Sequence, residues 1–144
     1  MKAFNWSDLF KGHSVFASLS EADIEKLLED EASQERAYPA GDVVVKEGEL
    51  GDSLFFIGSG SVQVTLQGPG GQSIPLATLE AREFFGEVAV LERRPRSATV
   101  TAREKCLLLE ISGDEFRKLL ETHPELQSQV YAKMRARLGQ SSPQ

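Results

Sequence analysis

The spacing of apolar residues changes twice along this chain of 144 residues, and the middle part has the spacing of β-strands. Between residues 34 and 111, runs rich in β-branched and aromatic residues are separated by turns that contain glycine. The run 61–66 alternates apolar and polar side chains, as a strand with one buried face does. Short strands joined by glycine turns favour an antiparallel sandwich or jelly roll over a parallel sheet.

Helical spacing is found on both sides of this strand-rich part, in residues 1–31 and 112–138. Ser20 is a candidate N-cap, because acidic residues follow it directly and an apolar stripe begins at the next turn. Ser112 is a second candidate N-cap of the same kind. Pro124 interrupts the helical pattern, so the C-terminal part is predicted to form two helices.

The last predicted helix ends near residue 138 and carries a narrow apolar stripe. The stripe consists of Leu126, Val130, Met134 and Leu138. Such a stripe serves either the domain's own core or a homodimer through this helix, and the sequence leaves both open. Residues 139–144 are small and polar, so we expect a disordered tail after a single domain that spans residues 1–138.

Charge and cysteine content restrict the classes of partner. The net charge of −6 and the isoelectric point near 5.0 argue against direct binding to nucleic acid or to an anionic membrane, since both need a broad basic surface. Cys106 is the only cysteine, so we expect a buried thiol, no internal disulfide and a cytoplasmic setting, or the cytoplasmic side of a membrane protein for an excised domain. The sequence has no signal peptide and no apolar run near the roughly 18 residues of a membrane span.

The segment 84–100 combines features of an anion site. Gly86 opens about one helical turn, whose unpaired N–H groups and positive dipole end favour an anion. Pro95 stiffens the chain before Arg96, whose planar guanidinium is suited to holding phosphate oxygens in pairs. Glu87 in the same turn would repel a phosphate unless it faced another group, such as a sugar hydroxyl. The segment therefore predicts a pocket for a small ligand that carries one phosphate and hydroxyl groups.

The same segment resembles the phosphate-binding cassette of cyclic-nucleotide-binding domains, the family of the catabolite activator protein and the protein kinase A regulatory subunit. The family's pattern is roughly F-G-E-hydrophobic-A, then P-R-x-A-T-V. Here residues 85–89 read Phe-Gly-Glu-Val-Ala and residues 95–100 read Pro-Arg-Ser-Ala-Thr-Val. The glycine turns and the order of the helices match from about residue 14 to 138. The resemblance implies an eight-stranded antiparallel jelly roll of the α+β class, mainly β, with N-terminal helices, a short cassette helix and two C-terminal helices.

One position departs from the family pattern on the way into the cassette. Similar proteins usually have glycine where this chain has Arg82. The sequence therefore predicts either a different form of turn or an arginine that is held at a positive φ.

The resemblance also implies which residues would hold a cyclic nucleotide. Arg96 would pair with the exocyclic phosphate oxygens, and Glu87 would accept the ribose 2′-hydroxyl. The backbone N–H groups that complete the cradle would come from Gly86, Val88, Ala89 and Ser97. The apolar wall beside the base and ribose would come from Val64, Leu76 and Val100, which are equally suited to the core.

Two features of the ligand's base are left open by the sequence. A residue of the last helix would cap the base, and the candidates are Tyr131, Arg135 and Leu138. In similar domains a hydroxyl at the position of Ser97 reaches guanine and favours cGMP, but some cAMP-binding regulators also carry serine there. Ser97 therefore permits either cAMP or cGMP.

Four functions compete. The favoured one is a regulatory sensor, not an enzyme and without a cofactor, in which the nucleotide draws the cassette and the C-terminal helices together and an unknown effector responds. The alternative is a truncated regulator of the catabolite-activator type, because the chain ends without a helix-turn-helix. A metal-dependent jelly-roll enzyme needs clustered ligands, whereas His13 and His123 flank helices and are interpreted as solvated or capping residues. A haem or iron–sulfur sensor is disfavoured, since one cysteine cannot hold a cluster.

Overall fold

The computed structural model describes residues 2–141, with side chains for residues 2–137. Within this part of the chain the structure has eight strands, which are β1 (Ser33–Tyr38), β2 (Val43–Val45), β3 (Ser53–Ser59), β4 (Ser61–Gln67), β5 (Ser73–Glu80), β6 (Phe84–Phe85), β7 (Thr99–Ala102) and β8 (Cys106–Ser112). The helices in the same residues are α1 (Trp6–Lys11), α2 (Glu21–Leu27), α3 (Glu87–Glu92), α4 (Gly113–Thr122) and α5 (Pro124–Ser141).

The strands of residues 2–141 form two antiparallel sheets, ordered β1-β8-β3-β6 and β2-β7-β4-β5. The first sheet is the middle layer of the molecule. On β3, Leu54 and Phe56 face a core shared with the helices, whereas Phe55 and Ile57 face a second core shared with the other sheet. This is why β3 carries a continuous apolar run instead of an alternating one. The eight-stranded antiparallel roll, mainly β with flanking helices, is confirmed.

Both predicted helix caps are confirmed. The Ser20 side chain accepts a hydrogen bond from the Asp23 N–H, and the Asp23 carboxylate accepts one from the Ser20 N–H, which completes a capping box. The Ser112 hydroxyl likewise accepts a hydrogen bond from the Glu115 N–H at the start of α4.

The apolar stripe of α5 packs into the domain's own core. Leu126 and Val130 are 0% exposed and belong to the core between helices and first sheet, and Met134 is also buried. The fourth member, Leu138, lies outside the described side chains. Of the two roles that the sequence left open for the stripe, the structure shows the intramolecular one.

The end of α5 differs from the prediction. The helix continues to Ser141, whereas disorder was expected from residue 139. A helix that is already nucleated and docked gains one hydrogen bond for each residue added, so small polar residues can extend it at little cost. The rest of the predicted tail, residues 142–144, lies outside the described residues. No helix in the described residues is long and apolar enough to cross a membrane.

Two single positions bear on the sequence predictions. Arg82 has a φ of 78°, so the predicted arginine at positive φ is confirmed, and its N–H donates to the Ile57 carbonyl over 2.9 Å. Cys106 is buried as expected, with its sulfur 3.1 Å from the carbonyl oxygens of Ser61 and Glu104.

The two histidines occupy different surroundings. His13 accepts a hydrogen bond from the Val15 N–H and packs edge-on against Phe16 and Phe56, so it is partly buried and not the solvated residue that was expected. His123 follows α4 as its C-cap residue, in line with a capping role. Among the described residues, no group of three or more potential ligand side chains has the geometry of a metal site.

Candidate functional site

A cavity of about 570 Å³ lies between the second sheet, the cassette helix α3 and helix α5. It is lined by all of the residues predicted for phosphate, ribose and base wall, namely Gly86, Glu87, Val88, Ala89, Arg96, Ser97, Val64, Leu76 and Val100. Its volume is within the usual range of small-molecule sites. The structure therefore brings the predicted site residues together around one space.

The base-wall residues form a continuous apolar patch because of strand register. Val64 on β4 lies directly opposite Val100 on β7 and opposite Ala77 on β5. Leu76 precedes Ala77 on β5, next to the register shift between Val64 and Thr65. The Ser97 side chain is exposed and lines the same cavity. An apolar wall faced by polar cassette groups suits a ligand with one flat apolar part and one polar part.

Gly86 fixes the start of α3. Its φ is 90°, in the left-handed region, and no side chain caps the helix there, so the first N–H groups of α3 are available at the cavity. A Cβ atom at Gly86 would lie 2.9 Å from Arg96 Nη1 and 3.0 Å from the Ser53 carbonyl oxygen. A Cβ atom at Gly51 would lie 2.7 Å from Arg96 Nη2. The Arg96 side chain thus occupies a slot that two glycines leave open.

Arg96 is held by both its backbone and its guanidinium. Its N–H donates to the Glu49 carbonyl over 2.8 Å, and its carbonyl accepts from the Gly48 N–H over 2.9 Å. Nη1 donates to the Ser53 carbonyl at 2.8 Å, Nη2 donates to the Ser53 hydroxyl at 3.1 Å, and the group lies 5.7 Å from the centre of the Phe55 ring. Burial lowers the pKa of Arg96, yet an arginine remains charged in proteins. Its other N–H donors are available to an anion.

Glu87 is buried in the first turn of α3 and is engaged from α5. The side chain is 4% exposed, and its Oε1 accepts a hydrogen bond from Arg137 Nη1 over 2.8 Å. The Arg137 guanidinium also lies over the Phe84 ring, 5.1 Å from its centre. Arg137 was not among the residues predicted from the sequence.

The α5 side of the cavity is lined by residues other than the predicted base caps. Tyr131 and Arg135 do not line the cavity, and Leu138 lies outside the described side chains. The residues that do line it from α5 are Lys133, Ala136 and Arg137. At about 100° per residue, Tyr131 and Arg135 fall on the side of the helix opposite to Lys133 and Arg137. Lys133 and Arg137 each follow a buried residue, Val130 or Met134, by three positions, so they lie next to the buried face of the helix. This helical phase is the sequence signal that could have identified them.

A second ionic cluster connects α4 with the cassette helix. Arg117 on α4 pairs with both carboxylate oxygens of Asp52, at 2.8 and 2.7 Å, and with Asp114 at 2.7 Å. Its Nη1 also donates to the Val90 carbonyl of α3 over 3.0 Å. The hydrogen bonds from Arg117 hold the pKa of Asp52 below its ordinary value. Arg117 and Asp52 are 65 residues apart, so no local sequence pattern indicates this connection.

A further hollow of about 590 Å³ lies beside α1 and is more open to solvent. Its lining includes the acidic residues Glu29, Asp30 and Glu31. Lys2 in the same lining donates to Asp30 over 3.1 Å and to the Leu28 carbonyl over 2.8 Å. An acidic lining of this kind is unsuited to a phosphate, so the cavity at α3 is the candidate site.

The model of the family described as "cyclic nucleotide-binding domain" matches residues 35–123 of the chain. The cAMP-dependent protein kinase regulatory subunit of Debaryomyces hansenii is 38% identical over 115 residues, which cover 80% of this chain and 24% of that protein. The cAMP-activated global transcriptional regulator of Escherichia coli is 33% identical over 106 residues, which cover 73% of this chain and 50% of that protein.

A solved structure shows the same fold. The regulatory domain of Toxoplasma gondii protein kinase A, crystallised with cAMP, has a TM-score of 0.76 and 25% identity to this chain, and the match covers 89% of this chain and 49% of that one. The two curated relatives are regulatory proteins by name, not enzymes. This chain spans between a quarter and a half of their length. The extent of the family match over the strands and the cassette shows that the chain belongs to the cyclic nucleotide-binding domain family.

Proposed function

We propose that this domain is a regulatory sensor that binds cAMP or cGMP. The observation that carries the proposal is the single cavity in which a buried arginine, a helix start, a buried carboxylate and an apolar wall meet. These groups are complementary to the parts of a cyclic nucleotide, which are an anionic phosphate, a ribose hydroxyl and a flat base. The names of the two regulatory relatives, which both refer to cAMP, support the same ligand class.

The cassette would bind the phosphate and the sugar. Arg96 supplies charge-assisted hydrogen bonds to the exocyclic oxygens, and the N–H groups of Gly86, Val88, Ala89 and Ser97 complete the cradle. Glu87 accepts the ribose 2′-hydroxyl, and the wall formed by Val64, Leu76 and Val100 contacts the apolar faces. On this proposal the α5 side of the site is formed by Lys133, Ala136 and Arg137, in place of Tyr131 and Arg135. No metal or cofactor takes part.

The C-terminal helices would relay the binding event to an effector domain or partner. Two contacts support this, since Arg137 joins α5 to Glu87 and Arg117 joins α4 to the Val90 carbonyl of the cassette helix. A ligand shifts the position of these helices only through its different affinity for the two arrangements. A nucleotide that contacts the cassette and α5 together favours the docked helix.

A second proposal concerns the effector and not the cavity. The chain is similar to half of a cAMP-activated transcriptional regulator, so the domain would be the sensor part of a catabolite-activator-type regulator. A homodimer through α5 would then use the outward face of the helix, because the stripe at Leu126, Val130 and Met134 is buried in the domain's own core. In both proposals the domain is cytoplasmic and does not itself bind nucleic acid.

Parallel calorimetric titrations with cAMP, cGMP and a cyclic dinucleotide test the proposal. We expect saturable binding of one cyclic mononucleotide for each domain and no binding of the larger dinucleotide. Sedimentation before and after titration reports the oligomeric state, and hydrogen exchange in α5 reports docking. Absence of binding for both cAMP and cGMP would contradict the proposed function.

A further inference from the structure

Arg137 differs from the other lining residues of α5 because it contacts a group of the cassette directly. Its guanidinium is oriented by two contacts on different elements, the Glu87 carboxylate at 2.8 Å and the Phe84 ring at 5.1 Å. Phe84 is 0% exposed, and Met134, one turn earlier on α5, is buried in the domain. The end of α5 is therefore held against the cassette at a defined place.

The carboxylate at the other end of this contact needs a partner. Glu87 is 3% exposed, and a buried carboxylate without a nearby cation or hydrogen-bond donor is strongly disfavoured. The bond from Arg137 uses Oε1. A carboxylate has two oxygens with about four lone-pair sites, so Oε2 can accept from a ligand while Oε1 is engaged. Because the carboxylate is planar, a partner on Oε1 also fixes the direction of Oε2.

We propose that Arg137 is the positioning residue that makes Glu87 selective for a ligand with a ribose 2′-hydroxyl. This inference rests on the proposed function and assigns a role to a residue of α5 that the cassette motif does not contain. Arg137 holds the Glu87 carboxylate in one orientation through its contact with Oε1, so Glu87 discriminates cAMP from 2′-deoxy-cAMP only while α5 is docked. Recognition of the ribose 2′-hydroxyl thereby depends on the docked position of α5.

The affinities of cAMP and 2′-deoxy-cAMP, measured by calorimetry for the wild type and for Arg137→Ala, test the proposal. The wild type is expected to prefer cAMP by roughly tenfold or more, the effect of one hydrogen bond to a charged group. In Arg137→Ala the preference is expected to fall at least about threefold. A variant that only loosens α5 weakens the binding of both ligands equally and leaves the ratio of their affinities unchanged. The affinity ratio therefore distinguishes positioning of Glu87 from general stabilisation of the helix.

Three further variants accompany this test. Arg135→Ala removes a cation from the outward face of the same helix, outside the cavity, so it is expected to keep the wild-type ratio. Arg137→Lys keeps a cation at the position and is expected to restore part of the preference. Arg137→Gln keeps a neutral hydrogen-bond donor on a shorter side chain and is measured in the same way where Arg137→Ala does not fold.

The outcomes separate this inference from the proposed function. A wild-type ratio in Arg137→Ala, or tighter binding of cAMP by it, overturns the inference, and the second result identifies Arg137 as a competitor for Glu87. A wild type that binds cAMP without distinguishing the 2′-deoxy analogue also overturns it. A wild type that binds neither cAMP nor cGMP contradicts the proposed function itself.

Discussion

The cassette wall of the cavity (residues 86–89, Arg96 and Ser97) and its α5 wall (Lys133, Ala136 and Arg137) are fixed by different kinds of contact. In the cassette, Arg96 is held by two backbone hydrogen bonds and by the carbonyl and hydroxyl of Ser53. On α5, an apolar stripe anchors the helix, and the ion pair between Arg137 and Glu87 joins its end to the cassette.

This difference separates two tasks. Backbone hydrogen bonds and glycine slots leave the phosphate side little freedom, so its donors are in place before a ligand arrives. A helix that is held by non-directional apolar contacts and a partly exposed ion pair loses less stabilising free energy when it shifts. We infer that the cassette wall provides affinity and that the α5 wall provides response. The following predictions test that division, beginning with the largest expected effect.

Replacing Arg96 should remove most of the affinity of the cassette wall. Arg96→Ala deletes a pair of charge-assisted hydrogen bonds and leaves a desolvated phosphate without its partner, a loss on the order of 2–5 kcal/mol. We expect cAMP affinity to fall roughly 30-fold or more by calorimetric titration. Arg94→Ala removes an equal charge from an exposed position two residues away and should change affinity little. Unchanged affinity in Arg96→Ala would refute the pocket assignment.

Gly86→Ala should separate backbone strain from contact with Arg96. The matched control is Gly41→Ala, since Gly41 has a φ of 93° and a Cβ there would have no atom within 4 Å. Each variant should lose about 1–3 kcal/mol of unfolding free energy through left-handed strain. Only Gly86→Ala should also bind cAMP more weakly, by about tenfold, because its Cβ displaces Arg96. Equal affinities in the two variants would show that the slot does not position Arg96.

Removing Arg117 should weaken the connection between α4 and the cassette in a pH-dependent way. Arg117 lowers the pKa of Asp52, so the pair stabilises the folded state at neutral pH, and this stability is lost as pH falls through the lowered pKa. Asp52 is half-exposed, so Arg117→Ala should reduce the unfolding free energy by only about 1 kcal/mol at pH 7. In urea titrations, the difference from the wild type should shrink below about pH 4.

The control for that experiment is the neighbouring exposed pair. Lys118 lies 3.2 Å from Glu115 on the same helix and its side chain is exposed, so Lys118→Ala should leave stability close to that of the wild type. A loss of stability in Arg117→Ala that is independent of pH would show that the Val90 contact, and not Asp52, accounts for it.

The smallest expected effects on stability come from protonation of the two histidines. Burial by itself lowers the pKa of His123, but its hydrogen bonds to the Leu119 carbonyl and to Asp23 outweigh burial and raise it. Protonated His123 therefore stabilises the junction of α4 and α5 below its ordinary pKa near 6.5, and this contribution is lost as pH rises through the raised pKa. Burial lowers the pKa of His13, and the charges of Lys133 and Arg82 add to the effect, so its stabilising contribution is lost as pH falls.

Proton NMR resolves these titrations, because the chain has two histidines. We expect the His123 ring to titrate above the His13 ring, with chemical-shift changes near His123 confined to the ends of α2, α4 and α5. The reverse order, or changes that spread through residues 86–89, would contradict the division between the two walls.

Local patterns indicated the residues of the cassette wall but not those that line the cavity from α5, for a physical reason. Gly86, Glu87 and Arg96 lie within one short segment whose turn, helix start and strand are determined by neighbouring residues. Arg137 and its partner Glu87 are 50 residues apart, and Arg117 and Asp52 are 65 residues apart. Such pairs depend on how helices pack on the sheet, and a sequence pattern describes only the phase of each helix.

The phase of α5 indicates which of its side chains face the cavity. Tyr131 and Arg135 are candidates because aromatic and guanidinium groups stack on purines, but both lie on the side of α5 opposite to Lys133 and Arg137, which line the cavity. The fold was easier to predict, because short strand-like runs and glycine turns recur between residues 34 and 111. The disorder expected from residue 139 was wrong, since α5 continues to Ser141.

The burial of Cys106 makes the molecule convenient for site-specific labelling. The only native thiol is enclosed, and burial raises its pKa, so it reacts slowly with alkylating reagents. A single cysteine introduced at the exposed outward position of Arg135 would then carry a fluorophore or spin label without mutation of the native thiol. Such a label would report the motion of α5 in real time from a position outside the cavity.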